Sequence, residues 1–168
     1  VIYKNGTRFI HNFSHPTGDT AVPAGYNTFI GKYSGNFTMG STATQTENKK
    51  KNTAIGYGSM SSNTTGFLNS AVGYQTLKNN TTGLDNVAFG YQALEQNTTG
   101  SSSTAVGAEA LYDNTTGSSN VAVGQRALFN NTTGRDSVAL GRHALHDNTT
   151  GIYNTAVGRS ALSNNTTA

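Results

Sequence analysis

The 168-residue chain has no cysteine, no tryptophan and two prolines, and only 11% of its residues are charged. Without cysteine there is neither a disulfide framework nor a thiolate metal site. No apolar run approaches the ~20 residues that cross a bilayer as a helix, so no membrane span is expected. The net charge is only +3 and no nucleic-acid-binding motif accompanies it, so nucleic acid is not expected as a partner. G-x-S-x-G, a Walker-type loop and a dinucleotide fingerprint are all missing, and no spacing of Ser, His and Asp suggests a triad. Neither enzymatic activity nor a cofactor is expected. His143 and His146 lie three apart without a carboxylate constellation, a solvated pair rather than a metal site. The first residue is Val1 rather than Met and no signal peptide is visible, which reads as a processed or partial chain.

A hydrophobic content of 34% with abundant Gly, Asn, Thr and Ser would suit a disordered chain. Disorder is argued against by the low net charge and, more strongly, by a repeat. Asn-Thr-Thr-Gly recurs with a fixed 17-residue period from Asn63–Gly66 to Asn148–Gly151, and a last copy, Asn165-Thr166-Thr167, runs into Ala168. Between the copies lies a second motif, as in Asn52-Thr53-Ala54-Ile55-Gly56 and Asn86-Val87-Ala88-Phe89-Gly90. In register, Ala54, Ala71, Ala88, Ala105, Ala122, Ala139 and Ala156 never vary. The next column is large and apolar: Ile55, Val72, Phe89, Val106, Val123, Leu140 and Val157. Three residues past the Gly comes a small column from Ser59 to Ala161, and then Met60, Leu77, Leu94, Leu111, Leu128, Leu145 and Leu162.

A helical repeat needs about 33 residues or more for two helices, and Asn-Thr-Thr-Gly breaks helices. A β-branched apolar patch closed by such a turn predicts one coil of a parallel β-solenoid, all-β, with ladders of like residues about 4.8 Å apart. Asn and Thr ladders then bond neighbouring turns, and the invariant Gly relieves crowding or supplies positive φ at a corner. Alternation along Val87-Ala88-Phe89 sets Ala on one face and large apolar residues on the other. Neither face is polar, so the strand is expected to be buried on both. One side would be the lumen and the other an oligomer interface formed by the column from Ile55 to Val157. Leu94 is followed by Glu95 and Gln96, and Leu145 by His146 and Asp147, so the second patch is expected on the solvent side.

Ser137-Val138-Ala139-Leu140-Gly141, Asn120-Val121-Ala122-Val123-Gly124 and Asn52-Thr53-Ala54-Ile55-Gly56 resemble the head repeats of trimeric autotransporter adhesins. Similar repeats with Asn-Thr-Thr-Gly linkers occur in bacterial and phage fibre proteins. The similarity spans residues 27–168. It implies a left-handed β-roll wound as a homotrimer, and an extracellular or cell-surface fibre (or virion tail fibre) that binds host, matrix or glycan. End-to-end stacking into a filament is an alternative assembly. The adhesin repeat is usually shorter than the one found here, so the turn geometry must differ.

The ends depart from the repeat. Residues 1–26 break it and are expected to form an N-terminal cap or connector. Residues 27–51 read as a divergent first coil with Phe29 in place of the invariant Ala, followed by an inserted exposed loop that ends in Lys49-Lys50-Lys51. Residues 52–168 hold seven coils, the last unfinished, which suggests that the native protein continues or that this end stacks on another subunit.

Two variable columns carry the candidate binding residues. The position after the Gly runs Tyr57, Tyr74, Tyr91, Ala108, Gln125, Arg142, Arg159, and its neighbour runs from Gly58 through Glu109, Arg126 and His143 to Ser160. The tyrosines form an aromatic ladder able to stack on sugars. Arg126, Arg142 and Arg159, with Arg135 and His143, form a basic patch able to attract anionic glycans. An ice-binding solenoid is a rival reading, because every coil carries Thr. Adjacent Thr64 and Thr65 should point oppositely, however, and leave one outward Thr per coil. Asn-Thr-Thr is also an N-glycosylation sequon, which every coil could use in a eukaryotic secretory pathway.

Overall fold

The computed structural model describes the backbone of residues 2–4 and 7–13, and residues 27–35 and 51–167 in full. Ten strands form one sheet in sequence order: β1 (Ile2–Lys4), β2 (Thr7–Phe13), β3 (Asn27–Ile30), β4 (Thr53–Ile55), β5 (Ser70–Val72), β6 (Val87–Phe89), β7 (Thr104–Val106), β8 (Val121–Val123), β9 (Val138–Leu140) and β10 (Thr155–Val157). From β3 to β10 every pairing is parallel, and from β4 onward the register advances one full repeat at each strand, Ala over Ala. The chain is therefore a β-solenoid of 17-residue coils, with no helix among the described residues. β2 pairs antiparallel with β3, His11 opposite Phe29, and β1 pairs with β2. A hairpin thus occupies the sheet edge that the first coil would otherwise leave open.

Each coil carries only one strand. The rest of the turn is held by backbone bonds to the adjacent coils, such as Gln75 N–H to Tyr57 O (2.9 Å), Leu77 N–H to Ala93 O (3.1 Å) and Thr81 N–H to Thr98 O (2.9 Å). The strand's central Ala points into the lumen and is fully buried in every coil from Ala54 to Ala139.

The Leu column corrects the expectation that the second patch is the solvent side. Met60, Leu77, Leu94, Leu111, Leu128 and Leu145 are 0% exposed and fill the lumen opposite the Ala column. Leu162, with no coil covering it, is 52% exposed. The residue after each Leu is half-buried in most coils, and Glu95 is buried beneath its ion pair with Lys78 (3.3 Å). The cause of the inward Leu is the backbone, since these Met and Leu residues have φ of 48 to 53°. Their left-handed conformation reverses the direction that an extended reading assigns to the side chain.

Two further columns are left-handed. Gln75 to Ser160 lie at φ 53 to 59°, and Leu68 to Tyr153 at 56 to 59°. None of the three contains Val, Ile or Thr. A β-branched side chain is a steric outlier at such φ, so in a chain rich in Thr this exclusion is a backbone signal. Left-handed backbone costs roughly 1 kcal/mol per residue, whereas burying Leu contributes about 1.5–3 kcal/mol. Burial wins at the Leu column; the exposed left-handed columns depend on the hydrogen bonds around the turn.

The Gly that ends each strand does both things expected of it. Gly56 to Gly158 have φ of 122 to 139°, and a Cβ on Gly107 would meet the Gly124 carbonyl oxygen at 2.6 Å. The first coil departs from the others in its filling. Phe29 pairs in register with Ala54 and is buried, while Gly35 stands at the position Met60 takes one coil later, where any Cβ would strike the Phe29 ring. A large residue in the Ala column and Gly in the Leu column exchange volumes, which keeps the lumen filled. The expected insert, 36–50, and the remainder of 1–26 lie outside the described residues.

Two buried Asn ladders lock the coils together. Along the first, Asn97 Nδ2 donates to Asn80 Oδ1 (2.8 Å) and to Gly100 O (2.9 Å), and the pattern repeats at Asn114 and Asn131. Along the second, Asn86 N–H donates to Asn69 Oδ1 (3.0 Å), and Asn86 Nδ2 to Gly100 O (2.9 Å). Gly100 O thus accepts from both ladders and ties the Asn-Thr-Thr-Gly turn to the strand. Where Ser replaces Asn the chain of bonds continues, Asn120 N–H donating to Ser103 Oγ (3.2 Å).

Candidate binding surface

The Gly corner places the following residue outside the coil, and the rise between coils then sets those residues in a file. Tyr57 and Tyr74 stack with centroids 5.5 Å apart and planes 9° from parallel; Tyr74 and Tyr91 do so at 5.3 Å and 7°. Tyr33 meets Tyr57 edge-on at 5.4 Å. The three sequence-selected tyrosines therefore come together, as a stack whose inner rings cover one another. Tyr74 has a tyrosine on each side. Tyr91 has one on one side only, because Ala108 follows it and a methyl group cannot cover a ring. Tyr91 is accordingly the most exposed of the three, at 50% against 43% for Tyr74.

Arg142 and Arg159 continue the same file beyond Gln125, exposed, with no carboxylate partner among the described residues. Arg126 stands in the neighbouring column. It is ion-paired to Glu109, and its guanidinium lies 5.3 Å from the centre of the Phe129 ring. The hydrogen bond that Arg126 donates to Glu109, and then the Glu109 charge, hold the Arg126 guanidinium above its ordinary range. Arg135 belongs to another column, 3.6 Å from Asp136. The expected five-membered basic patch is thus sorted into two unpaired cations on one file and two neutralised arginines off it. The field is felt at His143, whose pKa falls below the ordinary 6.5, first through desolvation and then through Arg142, His146, Arg126 and Arg159.

His143 and His146 are ring neighbours, 5.1 Å apart and tilted by 42°. His146 is not simply solvated, because it stacks on Phe129 at 5.3 Å and its Nδ1 lies 2.6 Å from Asp147 Oδ1. Tyr112 completes this second stack at 5.2 Å from Phe129. Sequence reasoning missed it, although all three residues directly follow a Leu of the repeat. Among the described residues no group of three or more His, Cys, Asp or Glu could hold a metal ion, and no helix is long and apolar enough to cross a membrane.

The candidate oligomer column is a continuous outward ladder. Ile55, Phe89, Val106, Val123 and Leu140 are each 36 to 44% exposed, Val72 is half-buried and Val157 is open. They stack in register along the sheet, beside half-buried Val87, Val121 and Val138 of the same face. The Thr pairs behave as expected. Thr64 turns its hydroxyl to Thr81 O (2.9 Å), and Thr65 faces out alone. The Asn residues of the Asn-Thr-Thr-Gly copies from Asn63 to Asn148 are fully buried and offer no amide to a glycosyltransferase, whereas Asn165 of the last copy is half-buried.

Comparison with protein-family models, with curated proteins and with solved structures finds no match to this chain.

Proposed function

We propose that the chain is a non-enzymatic, adhesive segment of an extracellular fibre, at a cell surface or on a virion tail. Three copies pack as left-handed β-rolls through the column from Ile55 to Val157, and the outer files face host, matrix or glycan. The observation that carries this reading is the apolar outward ladder. Parallel sheets are generally covered on both faces, and a continuous apolar stripe on an otherwise polar surface marks an interaction site. A narrow rod with one such stripe along its length closes most simply by rotation about a parallel axis. The outward Thr file and the file of Tyr, Gln and Arg residues then remain outside.

Light scattering of the purified chain tests the assembly. A trimer is expected at micromolar concentration. The double substitution Val106→Glu and Val123→Glu should give a monomer with an unchanged far-ultraviolet spectrum, because both side chains point away from the lumen. A monomeric native chain overturns the reading.

A further inference from the structure

The tyrosine file stops at one step and resumes as arginine, and this break is a built feature of the surface. On its N-terminal side stands the uncovered face of Tyr91, and its floor is Ala108. Beyond lie the exposed Gln125 amide and then the unpaired guanidinium of Arg142. The Glu109–Arg126 ion pair borders it in the neighbouring column, and the Val106–Val123 ladder lies on the other side of the Gly corner. At about 4.8 Å per coil, Tyr91 and Arg142 are about 14 Å apart along the axis, room for two pyranose rings laid lengthwise.

We propose that this notch is a subsite for an acidic oligosaccharide, one that pairs a pyranose with a carboxylate-bearing sugar. It rests on the reading of the chain as a glycan-presenting fibre surface and names the ligand class. A pyranose stacks its C–H face on an aromatic ring, and only Tyr91 among the three stacked tyrosines offers a ring face without another ring against it. Sugar hydroxyls need both donors and acceptors. The Gln125 amide and the fixed Glu109–Arg126 pair supply both without adding net charge. The carboxylate meets a guanidinium suited to two parallel hydrogen bonds, with Arg159 one coil further on. A nucleic acid fits less well, since only one ring face is open for base stacking and the two cations Arg142 and Arg159 offer few phosphate contacts.

The probe is a hyaluronan tetrasaccharide, with its carboxyl-reduced counterpart and a single-stranded DNA of equal charge as controls, followed by titration calorimetry on the native chain. Binding of the acidic sugar is expected. Tyr91→Ala and Arg142→Gln should each weaken it roughly tenfold or more. Ala108→Tyr should do the same by a different route: it extends the existing stack, keeps the fold and fills the notch. Tyr57→Ala and Arg135→Gln, outside the notch, should leave binding unchanged. Absence of binding, equal binding of the reduced sugar or the DNA, or indifference to Ala108→Tyr overturns the proposal. Light scattering on the same samples separates the two readings. A trimer that ignores the sugar sinks the notch alone, and a monomer that binds it sinks the assembly alone.

Discussion

The two large apolar columns of the coil are made of similar residues and do opposite work. The column from Met60 to Leu145 is sealed in the lumen, while that from Ile55 to Leu140 stands half-open on the outside. Their difference is one of backbone. The strand column is extended and alternates with Ala, so Ala takes the narrow interior and the larger residue points out. The Leu column is left-handed at φ 48 to 53°, and each Leu swings inward against that Ala. Hydrophobicity alone therefore does not say which residue is core; the conformation that carries the side chain does. The composition of the columns agrees, with β-branched residues common in the extended column and none in the left-handed one.

The largest expected effect comes from the Gly that joins the two columns. Gly107→Ala places a Cβ against the backbone of the next coil at φ 136°, where no flexible side chain can yield. A loss on the order of 3 kcal/mol or more in a urea titration is expected. An effect within experimental error would show that the corner does not hold the columns apart.

Truncating the two columns in parallel sharpens the contrast. Leu111→Ala should cost about 2–5 kcal/mol. Val123→Ala in a Val106→Glu background should cost under about 1 kcal/mol relative to Val106→Glu alone, because the side chain already meets water there. Comparable losses would mean that the outward column is core after all.

A volume-conserving swap isolates the backbone. Leu111→Ile keeps the carbon count but adds a β-branch at φ 53°, and should cost roughly 1–3 kcal/mol. Val106→Ile, in the extended column, should be nearly silent in thermal melts. If both swaps are silent, left-handed geometry is not what excludes Ile from the Leu column. The polar ladder between the columns ranks close behind. Asn114→Ala removes two donated bonds and one accepted amide bond inside the coil, and should lower stability by about 1–3 kcal/mol. Peptide mapping of the chain expressed in a eukaryotic secretory host should show no glycan on Asn63, Asn80, Asn97, Asn114, Asn131 or Asn148 of a folded product, since these amides are buried.

The smallest expected effect is electrostatic. The folded pKa of His143 lies below its ordinary 6.5, so the unfolded chain binds the proton more readily. Stability is then fullest above that value and falls slightly as pH drops through it. His143→Gln should flatten this part of the pH profile. His143 is largely solvent-screened, so only a shallow slope is expected.

Much of this was legible before any coordinates. The repeat period, the inward Ala and the outward apolar column all follow from register and alternation. The tyrosine file was legible too, because a fixed period must stack equal positions. The inward Leu was not, because alternation holds only for extended backbone and nothing in a run of Leu announces positive φ. Its trace was the missing β-branch, visible only when whole columns are compared. The basic patch was over-read for a related reason: counting cations along the chain cannot show that Glu109 lies within reach of Arg126 and Asp136 within reach of Arg135.

The sequence by itself determined the repeat, and with it which residues must stack, because a period without insertions leaves no freedom in register. Only the tertiary structure decided which side of the coil each column faces, which charges cancel and where the aromatic stack ends in an open face. Those depend on dihedral angles and on distances between coils, and both are set by packing between residues a full coil apart in the chain.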